Sequence, residues 1–143
     1  MKIAIGNDHG GVQLKQALKT HLIAKGYEVL DLGTNSVAST DYPIYGQKVS
    51  EAVINQAADL GIALCGTGIG ISIACNKVKG IRAALCHDVF SAQATREHND
   101  SNVLCMGARV IGDGLACMIV DTWLDATYQG GRHAQRVALL EKG

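Results

Sequence analysis

Between Asp59 and Ser72 the chain reads DLGIALCGTGIGIS, and few architectures can accept such a segment. The apolar run Leu60 to Leu64 has the length of a strand buried on both faces and is short for a core helix. It stops at Cys65. Glycines follow at Gly66, Gly68 and Gly70, and an apolar pattern resumes at Ile71. This is the order of a buried strand, a glycine loop and the start of a helix. Such a loop turns successive backbone N–H groups toward one point at a helix N-terminus, which suits an anion. Cys65 stands at the lip of that point, and a thiol beside a helix N-terminus has a reason to ionise. One short segment therefore offers a nucleophile or base together with an anion cradle.

The same alternation runs through the whole chain. Ile3 to Ile5 predicts a first strand, ending at GNDHGG. Val12, Leu14, Leu18 and Leu22 share a helix face that stops near Gly26. Tyr27 to Leu32 predicts the second strand. The stretch Gly33 to Pro43 is polar and holds the only proline. Tyr45, Val49, Ala52 and Val53 mark the next helix. Gly61 to Cys65 is the third strand, followed by a helix through about Val78. Ile81 to Cys86 is the fourth, followed by a helix from Asp88 to His98. Asn102 to Met106 is the fifth, and a helix from Asp113 to Thr127 carries Leu115, Ile119 and Trp123 on one face. Gly130 and Gly131 break it, and Arg132 to Lys142 forms a last short helix. Five strand–helix repeats predict a doubly wound α/β fold: a five-stranded parallel sheet covered on both faces, a Rossmann-like three-layer sandwich. At 143 residues the chain is expected to be one domain, residues 1–143, burying about two-thirds of its unfolded surface.

In such folds ligands bind past the carboxyl ends of the strands, at the point where strand order reverses. This sorts the polar residues. Asn7, Asp8 and His9 follow the first strand, Cys65 and Thr67 the third, and His87 and Asp88 the fourth, so all are expected along one sheet edge. Asp8 also suits a helix cap. His98 and Asn99 stand at a helix end, where a histidine can serve as a dipole partner. Arg132 and Arg136 are spaced i, i+4 on one helix face, either solvated or gripping an anion between them. Arg109, in GARVIG, is a further candidate.

Composition removes several classes of function. Thirteen Lys and Arg balance thirteen Asp and Glu, so no basic excess points to nucleic acid or an anionic membrane. No apolar run reaches the ~18 residues of a membrane span, and the start is unlike a signal peptide. The five cysteines form no C-x-x-C pair and the five histidines no H-x-x-x-H, which argues against a metal site and for reduced thiols in a cytoplasmic protein. GTGIG followed by Ile71 is not the dinucleotide fingerprint, and no lysine follows Gly70, so no phosphate-loop motif is present. No cofactor is implied. A small oxyanion in a nest of N–H donors remains. On spacing alone a cysteine hydrolase using Cys65 and His98, or a non-catalytic anion-binding module, is equally compatible.

Six stretches together carry a resemblance: NDHGG near the start, TDYP at 40–43, CGTGIGISIACNK at 65–77, GIRAALC at 80–86, REHNDSNVLCMGARVIG at 96–112 and GGRHAQRV at 130–137. The chain resembles the type B ribose-5-phosphate isomerases, in a family that also holds isomerases of allose and galactose 6-phosphates. The resemblance implies a metal-independent aldose–ketose isomerase of the pentose phosphate pathway. It also implies a homodimer or tetramer whose active sites lie at the subunit interface, with the C-terminal helix used in oligomer contacts. By the same resemblance Cys65 is the base that moves a proton between C2 and C1, since this chain has the cysteine of its subclass rather than a glutamate near position 75. Gly66, Gly68, Ile69 and Gly70 belong to the oxyanion-binding loop. Asp8, Thr67 and His98 match residues linked to ring opening. His9, Arg109, Arg132 and Arg136 match the phosphate-binding set, and Asn99 matches a contact to sugar hydroxyls. A hexose 6-phosphate on the same site is the alternative.

Overall fold

Five short apolar runs that each satisfy their backbone against a neighbour give one all-parallel sheet. In the computed structural model, which describes residues 1–143, its strands are β1 (Lys2–Asn7), β2 (Glu28–Asp31), β3 (Leu60–Cys65), β4 (Ala83–Leu85) and β5 (Val103–Gly107). The spatial order is β2-β1-β3-β5-β4. Between and after them lie α1 (Val12–Ala24), α2 (Tyr42–Ile54), α3 (Ile69–Asn76), α4 (Val89–Asn99), α5 (Asp113–Asp125) and α6 (Arg132–Glu141). The connection from β3 to β4 skips one position, and β5 fills it from behind. The expected doubly wound sandwich is the observed fold. Boundaries shift by at most two residues, and at β4 only Ala83 to Leu85 pair along β5.

Period-two alternation on the strands builds two separate cores. Ile3, Ile5, Ile62, Leu64, Leu104 and Met106 meet Leu14, Leu18 and Leu22 of α1, Ala92 of α4, and Ile119 and Trp123 of α5. On the opposite face Ala4, Ala63, Cys65, Val103 and Cys105 meet Val49 and Ala52 of α2 and Ile71 and Cys75 of α3. The second face is lined by small residues because α2 approaches closely. A Cβ on Gly61 would lie 2.5 Å from a Val49 methyl. Cys117 is half-buried rather than buried as its apolar setting suggests, while all five thiols are free. No helix is long and apolar enough to cross a membrane.

The reversal of strand order falls between β1 and β3. From β1 the chain turns to β2 at one edge, and it then crosses back to place β3 on the other side. The connections that leave their carboxyl ends therefore run to opposite faces of the sheet and leave a crevice between them. Asn7 and Leu64 are paired there, as are Cys65 and Gly107 one strand further on.

Candidate active site

The crevice gathers the residues that follow β1, β3 and β5. Asp8 is buried, its N–H donates to Leu64 O at 3.2 Å, and its carboxylate accepts the N–H of Gly10 at 2.9 Å. It thus caps the 3₁₀ turn His9–Gly11 and seats that turn over β3. The capping and site positions coincide. His9 accepts the N–H of Thr40 at its Nδ1, 3.1 Å away. That bond requires an unprotonated Nδ1, so the neutral ring carries its hydrogen on Nε2. The Asp8 oxygen 4.0 Å from Nδ1 is then a neighbour, not an ion-pair partner.

Cys65 ends β3 and is 5% exposed. Its Sγ accepts the N–H of Gly68 at 3.1 Å, an interaction that a thiolate takes better than a thiol. Gly68 makes it from a left-handed backbone, φ 77°. Thr67 is exposed, and its Oγ1 takes the N–H of Ile69 at 3.2 Å. With those donors used, the N–H groups of Gly66, Thr67, Gly70 and Ile71 have no acceptor within the chain. They belong to the loop and the first turn of α3, where the helix dipole adds positive potential. The loop thus presents unshared N–H groups, while the N–H of Gly68 is taken by the thiol. Arg109 is tied into the same edge: its N–H donates to Gly66 O at 3.0 Å, and its guanidinium lies over Gly66.

Three of the other thiols are poorly placed to ionise, while a hydrogen bond with Cys105 lowers the fourth, Cys75. Burial, reinforced by Asp88, pushes Cys86 up to about 11, and the hydrogen bond with Cys75, together with burial, raises Cys105. Burial also raises Cys117. No three His, Cys, Asp or Glu side chains are grouped so as to hold a metal ion.

Four predicted residues are elsewhere. α4 leaves the carboxyl end of β4 and returns to the amino end of β5. Its last turn, with His98 and Asn99, therefore lies at the edge opposite Cys65, about 16 Å of helix away. Arg82, just before β4, donates through Nε to Asn99 O and to Asp100 O, both at 3.0 Å. α6 is docked on the same turn. Gln129 N–H reaches Glu97 O at 3.0 Å, Arg82 pairs with Glu141 at 2.5 Å, and the rings of His98 and His133 stack. Arg132 and Arg136 project from α6 as exposed side chains. The candidate residues of one chain thus fall into two groups at opposite sheet edges.

Three further residues support this edge: Asn7 and His87, which the sequence places at strand ends, and Lys15, which it does not single out. Asn7 is fully buried, and its Nδ2 donates to Asp8 O and Thr34 O at 2.8 and 3.0 Å. Lys15 is fully buried on the apolar face of α1 and donates to Thr34 O at 2.8 Å and Asn35 Oδ1 at 2.6 Å. Together they pin the loop whose Thr40 orients His9. Lys15 lies three residues before Leu18 on a face otherwise read as apolar, and that periodicity was the available signal. His87 accepts the N–H of Gly107 at 2.9 Å through Nε2 and so supports the turn into Arg109.

The sequence profile described as Ribose/Galactose Isomerase matches residues 3–140. This chain belongs to that family. It is 56% identical to ribose-5-phosphate isomerase B of Escherichia coli over 97% of this chain and 93% of that protein. The structure of ribose-5-phosphate isomerase B from Clostridium thermocellum superposes with a TM-score of 0.98 at 56% identity, covering 99% of this chain and 96% of that one. A ribose 5-phosphate isomerase from Thermotoga maritima superposes at 0.97 with 47% identity, covering 99% and 98%.

Proposed function

We propose that this chain is a ribose-5-phosphate isomerase, interconverting ribose 5-phosphate and ribulose 5-phosphate with Cys65 as the base. The observation that carries the chemical reading is the Cys65 thiol held on the Gly68 N–H, at the mouth of a loop with unshared N–H donors. The furanose must first open: a proton reaches the ring oxygen while one leaves the O1 hydroxyl. His98, Asp8 and Thr67 serve this step, and an imidazole titrates in the range that both directions need. The Cys65 thiolate then takes the C2 proton. The C2–H electron pair becomes the C1=C2 bond, and charge moves to O1. The N–H groups of the glycine loop stabilise that enediolate, each such donor being worth ~3–4 kcal/mol in comparable oxyanion holes. A proton passes from the O2 hydroxyl to O1, and Cys65 returns its own proton to C1 as O2 becomes the ketone oxygen.

His9 and Arg109 at this edge, with Arg132 and Arg136, bind the phosphate, and Asn99 binds sugar hydroxyls. Guanidiniums suit a dianionic phosphate, and binding at that remote end supplies energy for the reacting carbons. Because His98, Asn99, Arg132 and Arg136 lie at the opposite edge of their own chain, a two-fold related copy supplies them. A symmetric pair that exchanges these edges completes two sites. The apolar side chains of Ile69 and Ile73, exposed on α3 beside the loop, favour a partner there, and α6 joins in the oligomer contacts. The free thiols fit a reducing, cytoplasmic location.

Ketose formation from ribose 5-phosphate in the presence of a chelator tests the reading. Turnover is expected, and Cys65→Ala should reduce kcat by about a thousandfold. Turnover that survives the substitution would remove the cysteine base. The family description also names galactose, which favours a hexose 6-phosphate as second substrate class; kcat/KM on pentose and hexose phosphates decides between them.

A further inference from the structure

We infer that His133 is a positioning residue for His98, a neutral ring on which the His98 imidazole lies so that it faces the sugar ring oxygen in one orientation. The inference rests on the reading of His98 as the ring-opening group. The two rings are 4.2 Å apart between centroids and inclined by only 12°. His98 comes from the last turn of α4 and His133 from the first turn of α6, so the stack joins two separately encoded elements.

Packing alone does not account for a histidine here. His133 is the single buried residue of α6, 6% exposed. Its Nε2 is shut off from solvent and has no hydrogen-bond partner. A buried polar atom without a partner opposes folding, and a leucine or phenylalanine would anchor the helix without that cost. What the imidazole adds is a flat π face beneath His98. Such a face attracts an imidazolium and limits its rotation.

The surroundings also disfavour a charge on His133. Burial, together with His98, Arg132 and Arg136, pushes it below the ordinary histidine range. A neutral His133 therefore supports the half-buried His98 ring without competing for a proton. Arg132 and Arg136 act twice in this arrangement, holding phosphate outward and keeping His133 uncharged inward.

Ribulose 5-phosphate separates the two chemical steps. Its C5 oxygen carries the phosphate, so it has no furanose form, and exchange of its C1 hydrogen with solvent deuterium needs only the C–H step. Formation of ring-closed ribose 5-phosphate needs the His98 step as well. Both rates are to be measured on the intact enzyme and on His98→Asn, His133→Ala and His133→Phe. His98→Asn should raise the ratio of exchange to net conversion. His133→Ala should raise it in the same sense by about tenfold, as expected for a misplaced reacting group. His133→Phe, which keeps the flat ring and cannot titrate, should stay close to the parent ratio. Equal loss of exchange and conversion in His133→Ala, with the ratio raised in His98→Asn, would reduce His133 to a packing residue and overturn the inference. A ratio of the Phe variant as high as that of the Ala variant would overturn it too. An unchanged ratio in His98→Asn would instead overturn the ring-opening reading, and the inference with it.

Discussion

Gly68 donates its N–H to the Sγ of Cys65 at 3.1 Å while holding a φ of 77°. The bond exists because no side chain fits at that position. A Cβ there would lie 2.5 Å from Leu85 Cδ1, 2.7 Å from Met106 C and 2.9 Å from Gly107 N. The thiol is thus oriented at a point of close approach, where the β3 loop passes over the end of β5.

Gly68→Ala should therefore act on chemistry and stability together. The left-handed backbone alone costs a non-glycine residue about 1–2 kcal/mol, and relief of the clash moves the N–H away from Cys65. Steady-state kinetics should show kcat reduced by about a hundredfold with KM little changed. A lowered urea midpoint should accompany it. A fully active variant would show that this N–H does not matter to the thiol.

Lys15 is the most consequential buried charge outside the site. Its ammonium is fully enclosed, 3.3 Å from Asp31 Oδ1, and it satisfies Thr34 O and Asn35 Oδ1. Lys15→Met keeps the stem but removes the ammonium from Asp31 and Asn35 Oδ1 and leaves Thr34 O with Asn7 Nδ2 alone. Urea denaturation should register a loss of about 3 kcal/mol, and limited proteolysis should cut faster within residues 33–40. An unchanged midpoint would mean that the loop finds other partners.

The two half-sites predict complementation. Cys65→Ala and His98→Asn should each be inactive alone. Refolded together in equal amounts, they should form mixed pairs that hold one intact site each. The expected recovery is about one quarter of parental activity for random two-fold pairing. No recovery, with mixed oligomers demonstrated by mass spectrometry, would place His98 and Cys65 of the same chain in one site.

Acid should destabilise the fold in two stages. At Asp31 burial opposes ionisation, but the Gly33 N–H, Lys19 and Lys15 outweigh it and hold the carboxyl below its usual 3.8. At Asp121 burial is likewise outweighed by Lys25 and His21. A depressed carboxyl contributes stability above its unfolded pKa and loses it as pH falls through the folded one. His133 is depressed from 6.5, so the unfolded chain takes that proton first and stability falls as pH drops below 6.5. Thermal midpoints should thus decline modestly below pH 6.5 and steeply below pH 4. His133→Phe should remove only the first decline; persistence of that decline would assign it to another group.

Much of the fold was legible because its signals are local. The run before Cys65, the glycines after it and the helical spacing of Leu14, Leu18 and Leu22 each depend on neighbours within one turn or strand. β4 was over-read because Ile81 to Cys86 is apolar apart from Arg82, while the register with β5 supports only its middle. Lys15 was missed because a buried ammonium is explained by acceptors at Asp31, Thr34 and Asn35, which lie 16 to 20 residues away. The orientation of His9 escaped for the same reason, since its partner is Thr40.

What the sequence by itself determined is the alternation of strands and helices, the glycine loop with its cysteine, and the residue types able to handle a sugar phosphate. Periodicity and turn chemistry carry those without long-range contacts. Tertiary structure alone decided how these residues are distributed. It set Asp8, His9, Cys65, the glycine loop and Arg109 at one sheet edge, and His98, Asn99, Arg132 and Arg136 at the other. That division follows from strand order and from the direction in which α4 must run between two parallel strands, properties of the whole sheet that no local segment encodes.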